Sequence, residues 1–265
     1  MHWHPAHVVL TVHRSFFTEA LLKPFSAPDL ALTQRRSWLS LAAGTLLAAT
    51  GAGSSTWAQA AALCRTGKRQ SPIDITQWQP GPARPLALHY QPAPLKWVHD
   101  GHTIRIRLAG TGSQASLGTE RLALQQTHFH LPGGDMLRGE SFPMAMHWIH
   151  KSASGQLVTL VVWFRQGGPH PGLTELLAHL PQEGQPEHTV PGLRFDPNAW
   201  WPADRAYFTY EGSLTSEPCT EGVRWVLLQT PLTASAEQLI ILRQHIAPNA
   251  RPVQPLNGRR VLAHG

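Results

Sequence analysis

The amino-acid sequence predicts a mainly β protein of the α+β class with only a few short helices. Charged residues make up 14% of the 265 residues, while 22 Gly and 23 Pro residues are typical of short strands joined by many turns. Several stretches alternate apolar and polar side chains, which is the period of a strand with one buried face. Helical spacing is clear at residues 171–180, and residues 234–245 are a second helix candidate.

Five further segments carry strand patterns, and one of them predicts the centre of a sheet. They are residues 86–90, 103–108, 156–164, 207–210 and 223–228. Residues 156–164 are almost wholly apolar, which predicts a central strand buried on both faces. Residues 97–102 are predicted to form a turn that leads into the next strand. Because no internal repeat or linker interrupts residues 61–265, we expect them to form one domain.

The first 60 residues have the features of an N-terminal extension with an export signal. The stretch TQRRSWL at residues 33–39 resembles a twin-arginine signal, an apolar run occupies residues 39–49, and residues 58–60 form an A-x-A cleavage pattern. The alternative is a membrane anchor, but Gly, Ser and Thr dilute the apolar run and make it a poor span. We therefore expect a periplasmic or secreted protein with no stable membrane span after cleavage.

The two cysteines, Cys64 and Cys219, both follow the predicted cleavage point. In an exported protein an even pair predicts one disulfide bond. The alternative, two free buried thiols, would be natural in a cytosolic chain.

The charge of the chain argues against a nucleic-acid partner. The formal net charge is +6, from 22 basic and 16 acidic side chains, and residues 1–60 hold four of the basic and two of the acidic ones. The remaining +4 includes no basic block interleaved with aromatic residues. Binding to nucleic acid therefore has little support.

Three histidines on two predicted strands are the strongest candidates for chemistry. His128 and His130 share one face of the first strand, because alternate strand side chains point the same way. An antiparallel return would place His147 opposite them. Three imidazoles with one open position are typical of catalytic Zn²⁺, whereas a His-x-His pair on a half-exposed strand often has no ligand. His150 is expected to face away and to be structural.

The ordered motifs of the chain resemble those of α-class carbonic anhydrases of the bacterial, exported type. The resemblance extends from about Cys64 to Arg259, nearly the whole of the predicted domain. The segments that carry it are QSPIDI (70–75), DGH (100–102), QTHFH (126–130), MHWIH (146–150), YEGSLTS (210–216) and NARPVQPL (249–256).

This resemblance implies both a fold and a reaction. The fold is a large, mostly antiparallel twisted sheet with short peripheral helices and Zn²⁺ at the floor of a conical cleft. The zinc ligands are His128, His130 and His147. The reaction is the reversible hydration of carbon dioxide to bicarbonate and a proton, by attack of zinc-bound hydroxide. Sulfonamides and small anions are the expected inhibitors.

The resemblance also implies roles for residues around the metal. Thr215 orients the nucleophile through its hydroxyl, and His102 passes the proton to buffer, a role that suits an imidazole because it changes charge near neutral pH. The remaining residues either contact substrate (Ile149, Leu214, Thr215, Ser216 and Trp225) or hold a ligand histidine in place (Gln126 and Asn249).

Three departures from the family pattern bear on activity. Gly134 and Ala145 stand where the family has glutamates, and the aromatic segment before the first cysteine is absent, with only Trp57 nearby. We expect Asp135 or Glu140 to supply the carboxylate next to Thr215. The alternative function is a catalytically weak, carbonic-anhydrase-related zinc-binding protein of the periplasm.

Overall fold

The computed structural model describes residues 62–265. The predicted export signal, its cleavage site and Trp57 lie outside these residues. Residues 62–66 are helical. The strands that follow are β1 (Asp74–Ile75), β2 (Gln79–Pro80), β3 (Leu86–His89), β4 (Ala93–His99), β5 (Ile104–Arg107), β6 (Gln114–Leu117), β7 (Glu120–His130), β8 (Met136–Leu137), β9 (Glu140–Ser141), β10 (Met144–Ser152), β11 (Leu157–Gln166), β12 (His188–Phe195), β13 (Tyr207–Ser213), β14 (Glu221–Leu228), β15 (Leu232–Ala234) and β16 (Leu262–His264). The helices are α1 (Pro171–Leu177) and α2 (Ala236–His245), with a 3-10 turn at Pro197–Trp200.

One large sheet dominates the described part of the chain. Its thirteen strands run in the order β12-β4-β5-β7-β10-β11-β14-β13-β16-β2, with β15 beside β11 and β3 and β6 continuing from β7. Most neighbours are antiparallel, and the parallel pairs are β11 with β14, β11 with β15, and β16 with β2. A second, small sheet contains β1, β8 and β9. The predicted mainly β fold with a large, mostly antiparallel sheet is confirmed.

Both faces of the large sheet are covered by apolar side chains, and β11 lies between the two cores. Leu160, Val162 and Phe164 belong to one core, while Val161 and Trp163 belong to the other. This alternation follows from the pleat, which sends successive side chains to opposite faces. The prediction that this strand is buried on both faces is confirmed.

The two predicted helices form, with ends shifted by their local chemistry. Helix α1 begins after His170, whose side chain accepts a hydrogen bond from the Leu173 backbone N–H, and it ends at Leu177 instead of residue 180. Helix α2 begins at Ala236 because Ser235 and Gln238 form a capping box.

One prediction about a loop is wrong. Residues 97–99 belong to β4 and not to a turn, and the side chains of Trp97 and His99 are both buried. The segment between the histidine strands also contains β8 and β9. Strand β8 pairs with β1 more than 60 residues earlier, with Asp74 opposite Met136. Two-residue strands of this kind depend on distant partners, and the Pro and Gly residues that flank β8 and β9 make the segment resemble a loop.

The predicted disulfide bond joins Cys64 to Cys219, which are 155 residues apart. The described residues contain no free cysteine, so the alternative of two buried thiols is wrong. Cys219 lies four residues after Thr215, so the bond ties the start of the domain to the segment that carries this threonine. Within residues 62–265 no helix is long and apolar enough to span a membrane.

Candidate metal centre

Strands β7 and β10 bring the three predicted histidines together. His128 and His147 are direct partners across this antiparallel pair, and His130 lies two residues further along β7 on the same face. The ring centroids are separated by 5.0 Å (His128–His130), 5.3 Å (His128–His147) and 4.2 Å (His130–His147). The prediction that an antiparallel strand places His147 opposite His128 and His130 is confirmed.

The spacing of the ring nitrogens fits a tetrahedral metal ion. The Nε2 atoms of His128 and His130 are 3.2 Å apart. Two nitrogens each about 2.0–2.1 Å from zinc in tetrahedral geometry would lie about 3.3 Å apart. One ligand atom from each of the three histidines lies within 4.8 Å of the others. In addition, the buried Nε2 of His147 has no hydrogen-bond partner within residues 62–265.

Burial keeps these imidazoles neutral, which is the state that binds metal. Burial, together with the charge of neighbouring histidines, holds the pKa of His128 and His147 well below the ordinary 6.5. Burial lowers the pKa of His130 to about 4, against an opposing effect of hydrogen bonds with Asn249. At neutral pH all three rings therefore retain a lone pair for a cation.

Neighbouring side-chain amides hold two of the three histidines in position. The Gln126 Oε1 atom is 3.0 Å from His128 Nδ1, the geometry expected of an acceptor that orients this ring. The Asn249 side chain accepts from the Leu131 backbone N–H at 2.9 Å and donates to the Phe129 carbonyl at 3.0 Å. Asn249 thus fixes the backbone on both sides of His130.

A cleft of about 180 Å³ opens above the histidines, and the residues predicted to contact substrate line it. Trp225 packs edge-on against His147, with ring centroids 5.1 Å apart. Thr159 also lines the cleft and is buried. The predicted residues that line the cleft are His102, Gln126, Ile149, Leu214, Thr215, Ser216 and Trp225.

His102 is exposed at the mouth of the cleft, with its ring centroid 6.3 Å from that of His130. The Asp100 carboxylate accepts the backbone N–H groups of His102 and Thr103 and forms an ion pair with Arg105. Burial alone would raise the Asp100 pKa, but these backbone hydrogen bonds and Arg105 lower it overall. The carboxylate thus faces Arg105 and the His102 backbone.

Arg105 is a cleft residue that the sequence reasoning missed. It lies on β5 directly opposite His128 of β7, and its charge contributes to the lowered His128 pKa. The signal was available, because the alternation predicted for residues 103–108 places Thr103, Arg105 and Arg107 on one face. What was missing was the register between β5 and β7.

The expectation of a carboxylate next to Thr215 is not met. Among the described residues the Thr215 hydroxyl makes no hydrogen bond to Asp135 or Glu140. Glu140 is exposed and forms an ion pair with Arg165 at 2.7 Å, so its proposed role is wrong. Asp135 is buried, and its Oδ1 accepts from the Ile73 backbone N–H at 2.9 Å and from the Tyr210 hydroxyl at 2.8 Å.

Asp135 instead anchors a hydrogen-bonded chain behind the cleft. The Tyr210 hydroxyl is also 3.0 Å from Ser71 Oγ, which accepts the Ser213 backbone N–H at 3.1 Å. A Cβ atom at Gly212 would lie 2.1 Å from Ser71 Oγ, so only glycine permits this approach. The chain connects Asp135 to the backbone two residues before Thr215.

His150 belongs to a separate structural contact, 2.9 Å from the Tyr90 hydroxyl, as predicted.

Fold and site together define a β-sheet protein with three histidines at the floor of a cleft that could hold a metal ion, and the comparisons agree with this class. A family model described as eukaryotic-type carbonic anhydrase matches residues 52–265. A carbonic anhydrase of Pectobacterium atrosepticum is 37% identical over 203 residues, which cover 76% of this chain and 82% of the relative. The chain belongs to the carbonic anhydrase family and is an enzyme of that class.

Solved structures show the same relationship. The α-carbonic anhydrase of Photobacterium profundum is 37% identical with a TM-score of 0.72, covering 80% of this chain and 98% of that one. The enzyme of Thermovibrio ammonificans, solved with the inhibitor sulfanilamide, is 35% identical with a TM-score of 0.72, covering 77% and 90%. The family resemblance recognised in the motifs is confirmed.

Proposed function

We propose that this protein catalyses the reversible hydration of carbon dioxide with Zn²⁺ held by His128, His130 and His147. The observation that carries the proposal is the set of three neutral imidazoles, with ligand atoms within 4.8 Å of one another, at the floor of a cleft in a carbonic anhydrase fold. When bound, Zn²⁺ supplies the Lewis acidity that makes a hydroxide nucleophile available near neutral pH, for which carbonic anhydrase is the best-known case.

The other residues of the cleft bind substrate and move the proton. Ile149, Leu214 and Trp225 provide an apolar wall that holds carbon dioxide and excludes bulk water. The Thr215 hydroxyl accepts a hydrogen bond from the nucleophile and so aims the lone pair of the nucleophile at the substrate carbon. His102, exposed at the mouth, takes up the proton released in each turnover and passes it to buffer.

The position of these residues favours an enzyme over the alternative of a zinc-binding protein with little activity. Gly134 and Ala145 stand at two positions where the family resemblance implies glutamates. Even so, the apolar wall, Thr215 and His102 all line the same cleft as the proposed ligands. A protein that only stored zinc would have no use for an apolar carbon dioxide site or for an exposed proton acceptor.

The experiment that tests the function is stopped-flow carbon dioxide hydration by the zinc-loaded, oxidised protein. Hydration well above the buffer rate that is abolished by sulfanilamide is the expected result. One Zn²⁺ bound per chain with no hydration above buffer would refute the proposal and would favour the zinc-binding alternative.

Replacing Gln126 with alanine is expected to weaken Zn²⁺ binding by roughly 10–100-fold, because partners of metal-bound histidines orient the ring and raise its basicity. Competition with a fluorescent chelator measures the affinity. Gln125→Ala is the matched control, because Gln125 is adjacent on β7 but its side chain bonds to the Ala123 carbonyl. Equal Zn²⁺ affinities of the two variants would show that Gln126 does not contribute to metal binding.

Replacing His102 with alanine is expected to lower kcat by roughly 100-fold in weak buffer, the lower end of the range of general acid–base contributions. Added imidazole should restore the rate, because it carries the proton in solution, while hydration measured in concentrated buffer should change little. A variant with the same loss at every buffer concentration would show that His102 acts on something other than proton release.

We also propose that the protein is exported. The disulfide bond between Cys64 and Cys219 supports this, since such bonds persist in oxidising compartments. Mass spectrometry of the periplasmic fraction from a bacterial host should find a chain that begins at Ala61. Retention of the uncleaved chain in the cytosol would contradict the proposal.

A further inference from the structure

A second and larger cavity, of about 500 Å³, shares no lining residue with the metal cleft. On β14 it is lined by Arg224, while the next residue, Trp225, lines the metal cleft. Five arginines line the second cavity, Arg69, Arg84, Arg224, Arg259 and Arg260.

Carboxylates neutralise only part of this positive charge. Among the residues that the structure describes, Glu211 is the one carboxylate that lines the cavity, 3.7 Å from Arg224. Arg224 also pairs with Glu120 at 2.6 Å, and Arg69 pairs with Glu221 at 3.4 Å.

The other three guanidinium groups, those of Arg84, Arg259 and Arg260, have no carboxylate within 4.0 Å among residues 62–265. The cavity therefore carries more guanidinium groups than nearby carboxylates neutralise.

Arg259 is held rigidly in this cavity. Its guanidinium donates to the carbonyl oxygens of Leu256, Glu211 and Pro255 and lies 5.6 Å from the centre of the Tyr210 ring. Since a guanidinium has five N–H groups, two remain on its terminal nitrogens. A fixed donor of this kind loses little conformational entropy when it binds an oxyanion.

We propose that this cavity binds a small molecule with a phosphate or sulfate group, which the guanidinium groups of Arg84, Arg259 and Arg260 contact. Planar guanidinium forks match the paired oxygens of such groups. The volume lies in the range of small-molecule sites and exceeds the needs of one inorganic ion. Leu117 and Leu262 provide apolar surface for an organic portion of the ligand.

The test is isothermal titration of the intact protein with two probes, inorganic phosphate and phenyl phosphate, in the presence of saturating sulfanilamide to keep anions from the metal cleft. The expected result is saturable 1:1 binding that weakens with added salt. Tighter binding of phenyl phosphate would identify an organic ester as the ligand class, whereas equal binding would identify the free ion.

Variants locate the site. Arg84→Gln combined with Arg260→Gln should weaken binding by at least roughly tenfold, the scale of one lost charge-assisted hydrogen bond. Arg121→Gln combined with Arg243→Gln is the matched control. Both arginines are exposed and lie outside the cavity, and their replacement removes the same amount of charge. Equal weakening in both pairs, or no saturable binding of either probe, would overturn the proposal. Neither outcome depends on whether the protein hydrates carbon dioxide.

Discussion

Replacing His128 with alanine is expected to abolish carbon dioxide hydration and most Zn²⁺ binding. His128 belongs to the cluster of three histidines, with its Nε2 3.2 Å from that of His130 and its ring centroid 5.3 Å from that of His147. Because the loss of a mere partner of a ligand costs 10–100-fold, the loss of a ligand should lower activity by more than roughly 100-fold. Stopped-flow assays and metal analysis after dialysis measure the two effects.

His179→Ala is the control for this experiment. His179 is an exposed histidine just after α1, outside the cleft, so its replacement should leave zinc content and activity unchanged. A His128→Ala protein that kept one Zn²⁺ per chain and full activity would refute the ligand assignment. Circular dichroism should show that both variants retain the β fold.

Replacing Asp135 with asparagine is expected to remove a pH dependence from the stability of the protein. Burial raises the pKa of Asp135 to about 7, and hydrogen bonds from Ile73 and Tyr210 offset only part of this effect. Relative to the ordinary carboxyl pKa of about 3.8, the change corresponds to roughly 4 kcal/mol. Its second oxygen is buried without a partner within the described residues, consistent with a carboxyl that holds its proton.

The sign of the effect follows from proton binding. Since the folded protein binds the Asp135 proton more tightly than the unfolded chain does, this stabilisation is complete below about pH 4 and is lost as the pH rises through about 7. The free energy of unfolding of the unmodified protein should therefore lose roughly 2–3 kcal/mol between pH 5 and pH 8 from this group. In Asp135→Asn this loss should be absent.

Urea denaturation at the two pH values measures the difference. Glu140→Gln is the matched control, because Glu140 is an exposed carboxylate paired with Arg165 and its replacement should leave the slope nearly unchanged. Parallel stability profiles for the unmodified protein and Asp135→Asn would show that Asp135 has an ordinary pKa in the folded state.

Local patterns were sufficient to predict the main strands, both helices and the cluster of three histidines. The period of two along β7 placed His128 and His130 on one face, and an apolar run predicted the doubly buried β11. Both follow from strand geometry, which is the same wherever a strand lies. The even pair of cysteines in a chain predicted to be exported likewise predicted the disulfide bond, since the chain offers a single pairing.

The sequence alone therefore determined the class of fold, the three histidines and the disulfide bond, while the tertiary structure decided which distant groups meet. Asp135 contacts Tyr210, 75 residues away, instead of Thr215. Arg105 enters the cleft because β5 pairs with β7 in one register, and arginines from residue 69 to residue 260 share one cavity. Such meetings depend on how whole strands align and pack, because no local spacing in the sequence encodes a contact between residues so far apart.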